Sequence, residues 1–197
     1  MKSYKTIAIL SCLFITSIAT FAQAGGGSAA PSTPPTIASV LDRSLSGIER
    51  NVMNAAEAVP ENKYDFSPAT ANIPGDFKTP NPVRTTGEQF KHIGDALESY
   101  ASAILGEKRA ETSEENGPKN VKTKQDVINY LKSAFTQAHT AIKTIDQQNV
   151  VEPVATGKPT RLALAVGMVG HTNNHYGQII EYLRMNGMVP PESQPRK

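Results

Sequence analysis

Residues 160–187 read TRLALAVGMVGHTNNHYGQIIEYLRMNG, and this stretch decides the fold. A helix is expected from Thr160 to Asn186. Its first half, Leu162, Ala163, Leu164, Ala165, Val166, Met168 and Val169, is apolar nearly all round, the composition of a helix buried deeply among others. Asn186-Gly187 offers a C-terminal cap, and Pro190-Pro191 forbid continuation. Within this helix His171 and His175 stand at i and i+4, which places both imidazoles on one side, one turn apart.

Three more segments carry helical period. From Thr36 to Val59 the apolar residues Ile37, Val40, Leu41, Leu45, Ile48, Val52, Ala55, Ala56 and Val59 recur at spacings of three and four, and Pro60 ends the run. From Thr86 to Gly106, Phe90, Ile93, Leu97, Tyr100, Ala101, Ile104 and Leu105 form one face, with Thr86 and Gln89 as the expected capping box. From Thr123 to Asn149 the face is Val127, Ile128, Leu131, Ala134, Phe135, Ala138, Ile142 and Ile145, opened by Thr123 and Asp126. Between them lie residues 61–84, broken by Pro68, Pro74, Pro80 and Pro82, a polar segment 107–122, and a loop 150–158. Long loops of the first kind are often functional. No period-two strand, internal repeat or Gly-rich phosphate loop is present. Helices of this length span roughly 30 to 40 Å. The economical arrangement is all-α, a four-helix bundle with long crossover loops.

The N-terminus reads as an export signal. Lys2 and Lys5 precede an uncharged run from Ile7 to Ala19, and Ala22-Gln23-Ala24 gives the small-x-small pattern of a signal peptidase site. The run is short of the roughly 20 residues a spanning helix needs. Cleavage after Ala24 is expected, in preference to an uncleaved anchor or a lipid-modified Cys12. Residues 1–24 are then a secretory signal peptide, 25–35 a flexible Gly/Ser/Ala/Pro linker, 36–191 the domain and 192–197 a tail. The protein is expected to be periplasmic or secreted, with no stable membrane span after cleavage.

Composition narrows the chemistry. The 197 residues contain 20 Lys and Arg against 18 Asp and Glu. Loss of Lys2 and Lys5 brings the mature chain to neutrality, which excludes the broad basic field of non-specific nucleic-acid binding and a polybasic membrane role. The only cysteine, Cys12, lies in the signal. Thiol nucleophiles, thiolate metal sites, Fe–S clusters and disulfides are excluded from the mature domain.

Four histidines remain. An HxxxH pair is the usual helical spacing for two ligands on one ion. Taken alone it also fits surface histidines, or core histidines bonded to backbone carbonyls. His92 adds weight: it sits at the margin of the second helix's apolar face, with Ala96 and Ser99 as small neighbours that let another helix approach. A third imidazole facing His171 and His175 would complete a three-nitrogen site with an open position for water or substrate, the pattern of catalytic zinc. His139, beside Phe135 and Ile142, reads as a boundary residue with one polar partner and no metal role.

The segment Gly170-His171-Thr172-Asn173-Asn174-His175-Tyr176-Gly177-Gln178, continuing through Tyr182-Leu183-Arg184-Met185-Asn186-Gly187 to Val189-Pro190-Pro191, resembles the last helix of DinB-like proteins. Glu49-Arg50 and the stretch from Ala55 to Pro68 resemble that family's first helix and following loop, and Gly87-Glu88-Gln89-Phe90-Lys91-His92-Ile93 its second-helix histidine motif. The resemblance covers roughly residues 36 to 191. It implies a four-helix bundle of up-down-down-up course and a divalent metal, zinc or nickel, held by His92, His171 and His175. It further implies thiol-S-transferase or metal-dependent hydrolase activity in some members, and frequent homodimers. The export signal departs from the transferases, whose thiol cosubstrates are mainly cytoplasmic.

Three classes of function therefore compete: a metal-dependent hydrolase or thiol transferase acting on a small molecule, a binding protein that holds a metal or small ligand without turnover, and a structural domain with a closed metal site. An enzyme needs a general base. Glu88, Asp95 and Glu181 are the nearest carboxylates in sequence, and each reads more readily as a solvated helix charge. Tyr176 and Gln178 either line a pocket or pack.

Overall fold

Every long helix starts on a threonine. In the computed structural model, which describes residues 34–71, 83–109, 116–155 and 157–195, α1 spans Ile37–Ala58, α2 Thr86–Leu105, α3 Lys124–Lys143 and α4 Arg161–Met185. Thr36, Thr85, Thr123 and Thr160 each turn a side-chain oxygen onto a first-turn amide that has no helical partner. In the first three helices the third residue, Ser39, Glu88 or Asp126, returns its side chain to the cap's own N–H, closing a capping box. The expected signal peptide, the linker up to residue 33, Pro74, Pro80 and Pro82 lie outside the described residues. The compact unit that holds the helices begins at Pro35.

Three expectations are corrected. The cap of α2 is Thr85 with Glu88, one residue before Thr86 with Gln89. Glu88 brings a charged acceptor to the positive end of the helix dipole, while Thr86 and Gln89 are both 2% exposed and face inward. Helix α3 stops at Lys143, short of Asn149. There the Asp146 carboxylate accepts from the Gln148 and Asn149 amides and the Asn149 side-chain amide donates to the Thr144 carbonyl, so local side-chain bonds replace the helical ladder. Finally, the start of α4 is not buried all round: Leu164, Ala165 and Met168 are, whereas Leu162 and Val166 are exposed. Helix α4 packs on α1 and α2, and its remaining side faces solvent.

The helices form a ring in which α1 and α2 each pack against both α3 and α4. Side-chain contacts give the directions. Val127, at the start of α3, lines one cleft with Gly87 and Glu88, at the start of α2, so α2 and α3 run parallel. His139, late in α3, meets Asp42, early in α1, so these two are antiparallel. Gln89, early in α2, reaches Gln178, late in α4, and that pair is antiparallel as well. The result is an all-α four-helix bundle with an up-down-down-up course. Because α2 and α3 are parallel, the end of α2 and the start of α3 lie at opposite ends of the bundle. Gly106, at φ +71°, makes the left-handed turn that ends α2.

The core is a single apolar cluster contributed by all four helices, with Leu45, Phe90, Leu97, Leu131, Phe135, Met168 and Ile179 fully buried. Two short 3-10 turns, Glu61–Lys63 and Pro68–Thr70, fix the entry to α2. The Tyr64 hydroxyl donates to the Ala56 carbonyl at 2.7 Å, and the Thr86 and Gly87 amides donate to the carbonyls of Phe66 and Tyr64, each at 2.8 Å. This stapling sets where the first turns of α2, and with them His92, sit against α4. Among the described residues no helix is long and apolar enough to cross a membrane.

Candidate metal centre

The antiparallel contact of α2 and α4 brings His92, His171 and His175 together. One ligand-capable nitrogen of each lies within 4.8 Å of the others. The Nε2 atoms of His171 and His92 face one another at 3.2 Å. Two nitrogens on a tetrahedral ion at about 2.05 Å sit about 3.3 Å apart, so this spacing fits a shared cation. The ring centroids are 5.1, 4.4 and 4.5 Å apart for His92–His171, His92–His175 and His171–His175. Three imidazoles suit the borderline-soft divalent ions.

Each ring is held differently. His175 is buried, and its Nδ1 lies 2.9 Å from Gln89 Oε1. His171 is half-buried and has the Tyr100 ring beside it, with centroids 6.1 Å apart. His92 is half-buried. Burial, the nearby His92 and the Arg84 guanidinium lower the pKa of His171. For His175 burial again leads, followed by His92, His171 and Arg84, and the value is pushed down to about 4. Both rings are thus neutral near pH 7, the state in which imidazole binds a cation.

Behind His175 lies a polar chain. Gln89 Nε2 donates to Gln178 Oε1 at 2.8 Å and to the Tyr182 hydroxyl at 3.4 Å, and that hydroxyl donates to the Arg84 carbonyl at 3.1 Å. Gln89, Gln178, Tyr182, Arg84, Asn116 and Glu88 also line a cavity of about 310 Å³, which meets the histidine group only through Gln89. Gln178 is therefore a wall of that cavity, while Tyr176 packs against the core. Sequence reading spent Gln89 on a capping role. Its signal was a polar residue one helical turn before His92, on the buried side of α2.

The carboxylates that sequence offered as bases all have other partners. Glu88 caps α2. Glu181 is an exposed partner of Arg184. Asp95 corrects its reading as a solvated charge: it is only 9% exposed and is ion-paired to Arg109. His139 lies away from the three-histidine group, as expected, but has two polar partners rather than one. Its Nδ1 is 2.6 Å from Asp42 and its Nε2 3.0 Å from Glu49.

The sequence model of the DinB superfamily matches residues 45–179. Among solved structures, the chain is similar to a DinB-like protein of Bacillus subtilis, YjoA, at 17% identity with a TM-score of 0.58, over 80% of this chain and 99% of that one. That likeness concerns the fold. A search of curated proteins finds no match.

Proposed function

We propose the following for this chain, which belongs to the DinB superfamily: His92, His171 and His175 hold one divalent ion, zinc or nickel, in a site with one position left for a small ligand. The observation that carries the proposal is the 3.2 Å approach of the His92 and His171 Nε2 atoms within a group of three imidazoles spanning 4.8 Å. A single Nε2–H···Nε2 hydrogen bond between neutral rings would satisfy that one pair, but it gives no reason for the third ring to converge there.

When bound, such an ion supplies Lewis acidity that lowers the pKa of a ligand water or thiol. The chain's own part is to hold neutral imidazoles in place, exclude bulk water on the His175 side, and offer the polar cavity beside Gln89 to the rest of a small molecule. On this reading the protein is a metal-dependent enzyme acting on a small molecule, a hydrolase or thiol transferase. A second reading, a protein that holds a metal or ligand without turnover, is favoured by the engagement of Asp95 and Glu181 away from the site and by the use of the Glu88 carboxylate as a helix cap. Export after cleavage following Ala24 is part of the proposal, and mass spectrometry of the native protein should show Gly25 as its first residue.

Calorimetric titration of chelator-treated protein with zinc and nickel tests the site. One ion per chain is expected, with uptake abolished in His171→Ala and kept in His139→Ala. Metal-dependent turnover of simple ester or thiol substrates would select the enzyme, and tight metal binding with no turnover the holding protein.

A further inference from the structure

The buried amide chain behind His175 has a definite direction, and that direction bears on which nitrogen the ring presents. The Arg84 backbone carbonyl can only accept, so the Tyr182 hydroxyl, 3.1 Å away, donates its one hydrogen there. The Tyr182 oxygen is then an acceptor towards Gln89, and the Gln89 atom that approaches it must be the amide nitrogen. Gln178 Oε1 receives the same NH₂ group at 2.8 Å. Gln89 is 2% exposed, and both atoms of its amide are taken by protein partners. Its Oε1, an acceptor only, is therefore left facing His175 Nδ1 at 2.9 Å.

We propose that Gln89 is a positioning residue: through this one-way chain it fixes His175 as the Nδ1–H tautomer and presents Nε2 as the ligating nitrogen. The inference rests on the three-histidine reading above. It gives a role to a buried polar side chain on α2 that packing does not account for, since leucine would fill the same space. Histidine ligands are commonly oriented by an acceptor at the other ring nitrogen. Here that acceptor is a neutral amide, itself oriented by Tyr182 and a backbone carbonyl. A carboxylate at position 89 would still accept from Nδ1–H, but it could not donate to Tyr182 or Gln178.

The test uses the mature chain, stripped of metal and labelled with ¹⁵N-histidine, as wild type, Gln89→Leu and Gln89→Glu. Long-range ¹H–¹⁵N spectra at about pH 7.5, where neutral imidazole dominates, report the tautomer of His175, assigned by its loss in His175→Ala. Wild type and Gln89→Glu should show Nδ1–H, and Gln89→Leu should move towards the Nε2–H form that free imidazole side chains favour. Zinc affinity, read by competition with a chromophoric chelator, should fall about 10- to 100-fold in Gln89→Leu and be largely rescued in Gln89→Glu. Melting of the metal-free variants separates loss of fold from loss of orientation. Wild-type His175 in the Nε2–H form would overturn the proposal, as would a folded Gln89→Leu with unchanged tautomer and affinity. A wild type that holds the Nδ1–H form yet takes up no zinc would overturn the three-histidine reading instead, so the two failures are distinguishable.

Discussion

His139 and His175 are imidazoles on successive helices, α3 and α4, that the fold treats in opposite ways. At His139 burial lowers the pKa, but hydrogen bonds to Asp42 and Glu49 and their charges outweigh it, and the net effect is a raised value. The folded state then binds the proton more tightly than the unfolded chain. The stability this gives is fully present below the unfolded pKa of about 6.5 and is lost as pH rises through the folded value. Replacing His139 by Gln should therefore destabilise the protein more at about pH 5.5 than at about pH 9, as measured by urea unfolding; an equal loss at both would contradict the clasp. At His175 burial leads and lowers the pKa to about 4. Here the unfolded state binds the proton more readily. Metal-free protein should be unpenalised above about pH 6.5 and should lose stability as pH falls towards about 4. His175→Ala should flatten that decline, and an unchanged slope would mean that the ring is not buried as described. The sequence reading of His139 failed by one partner because α1 presents Asp42 and Glu49 two turns apart, and only the helix pairing shows that both meet the same ring.

At the scale of elements, most of the helices were legible because cap and period agree. Thr36, Thr123 and Thr160 sit where an apolar run begins, and each is the observed N-cap. The misplaced cap of α2 shows the limit. Thr85 and Thr86 both qualify by local pattern, and only the pairing of Thr86 with Phe66 decides which one caps. The length of α3 was misread for a related reason, since Ile145 keeps helical period while Asp146 and Asn149 divert the backbone. The α2–α3 contact carries a further requirement. A Cβ added at Gly94 would lie 2.5 Å from Tyr130 Cε1, and Tyr130 is tied to Glu98 by a 3.0 Å hydrogen bond. Gly94→Ala would gain about 1 kcal/mol in helix propensity but force a clash worth about 1–3 kcal/mol. A net loss of about 1 kcal/mol is expected in thermal or urea unfolding. A variant as stable as wild type would show that Tyr130 can swing aside.

For the whole molecule, the bundle's course turns three separated histidines into one group. Residues 92 and 171 are far apart in sequence, and their meeting depends on α2 and α4 running antiparallel with the right stagger. The HxxxH spacing made one half of the site legible, and the place of His92 at the edge of an apolar face made the other half a reasoned expectation. What sequence could not supply was the polar support. Gln89, Gln178 and Tyr182 sit on two helices; the place of Gln89 one turn before His92 was a signal, but only the helix pairing joins it to Gln178 and Tyr182. If the three imidazoles hold one ion, that ion stabilises the folded state by mass action. The most direct measurement is metal analysis by mass spectrometry of the mature protein purified without a histidine tag or added metal, beside His171→Ala and His139→Ala. The account predicts one equivalent of zinc or nickel per chain in wild type and His139→Ala, and almost none in His171→Ala. A metal-free wild type that takes up neither ion when offered it, or a His171→Ala protein with full metal content, would contradict it.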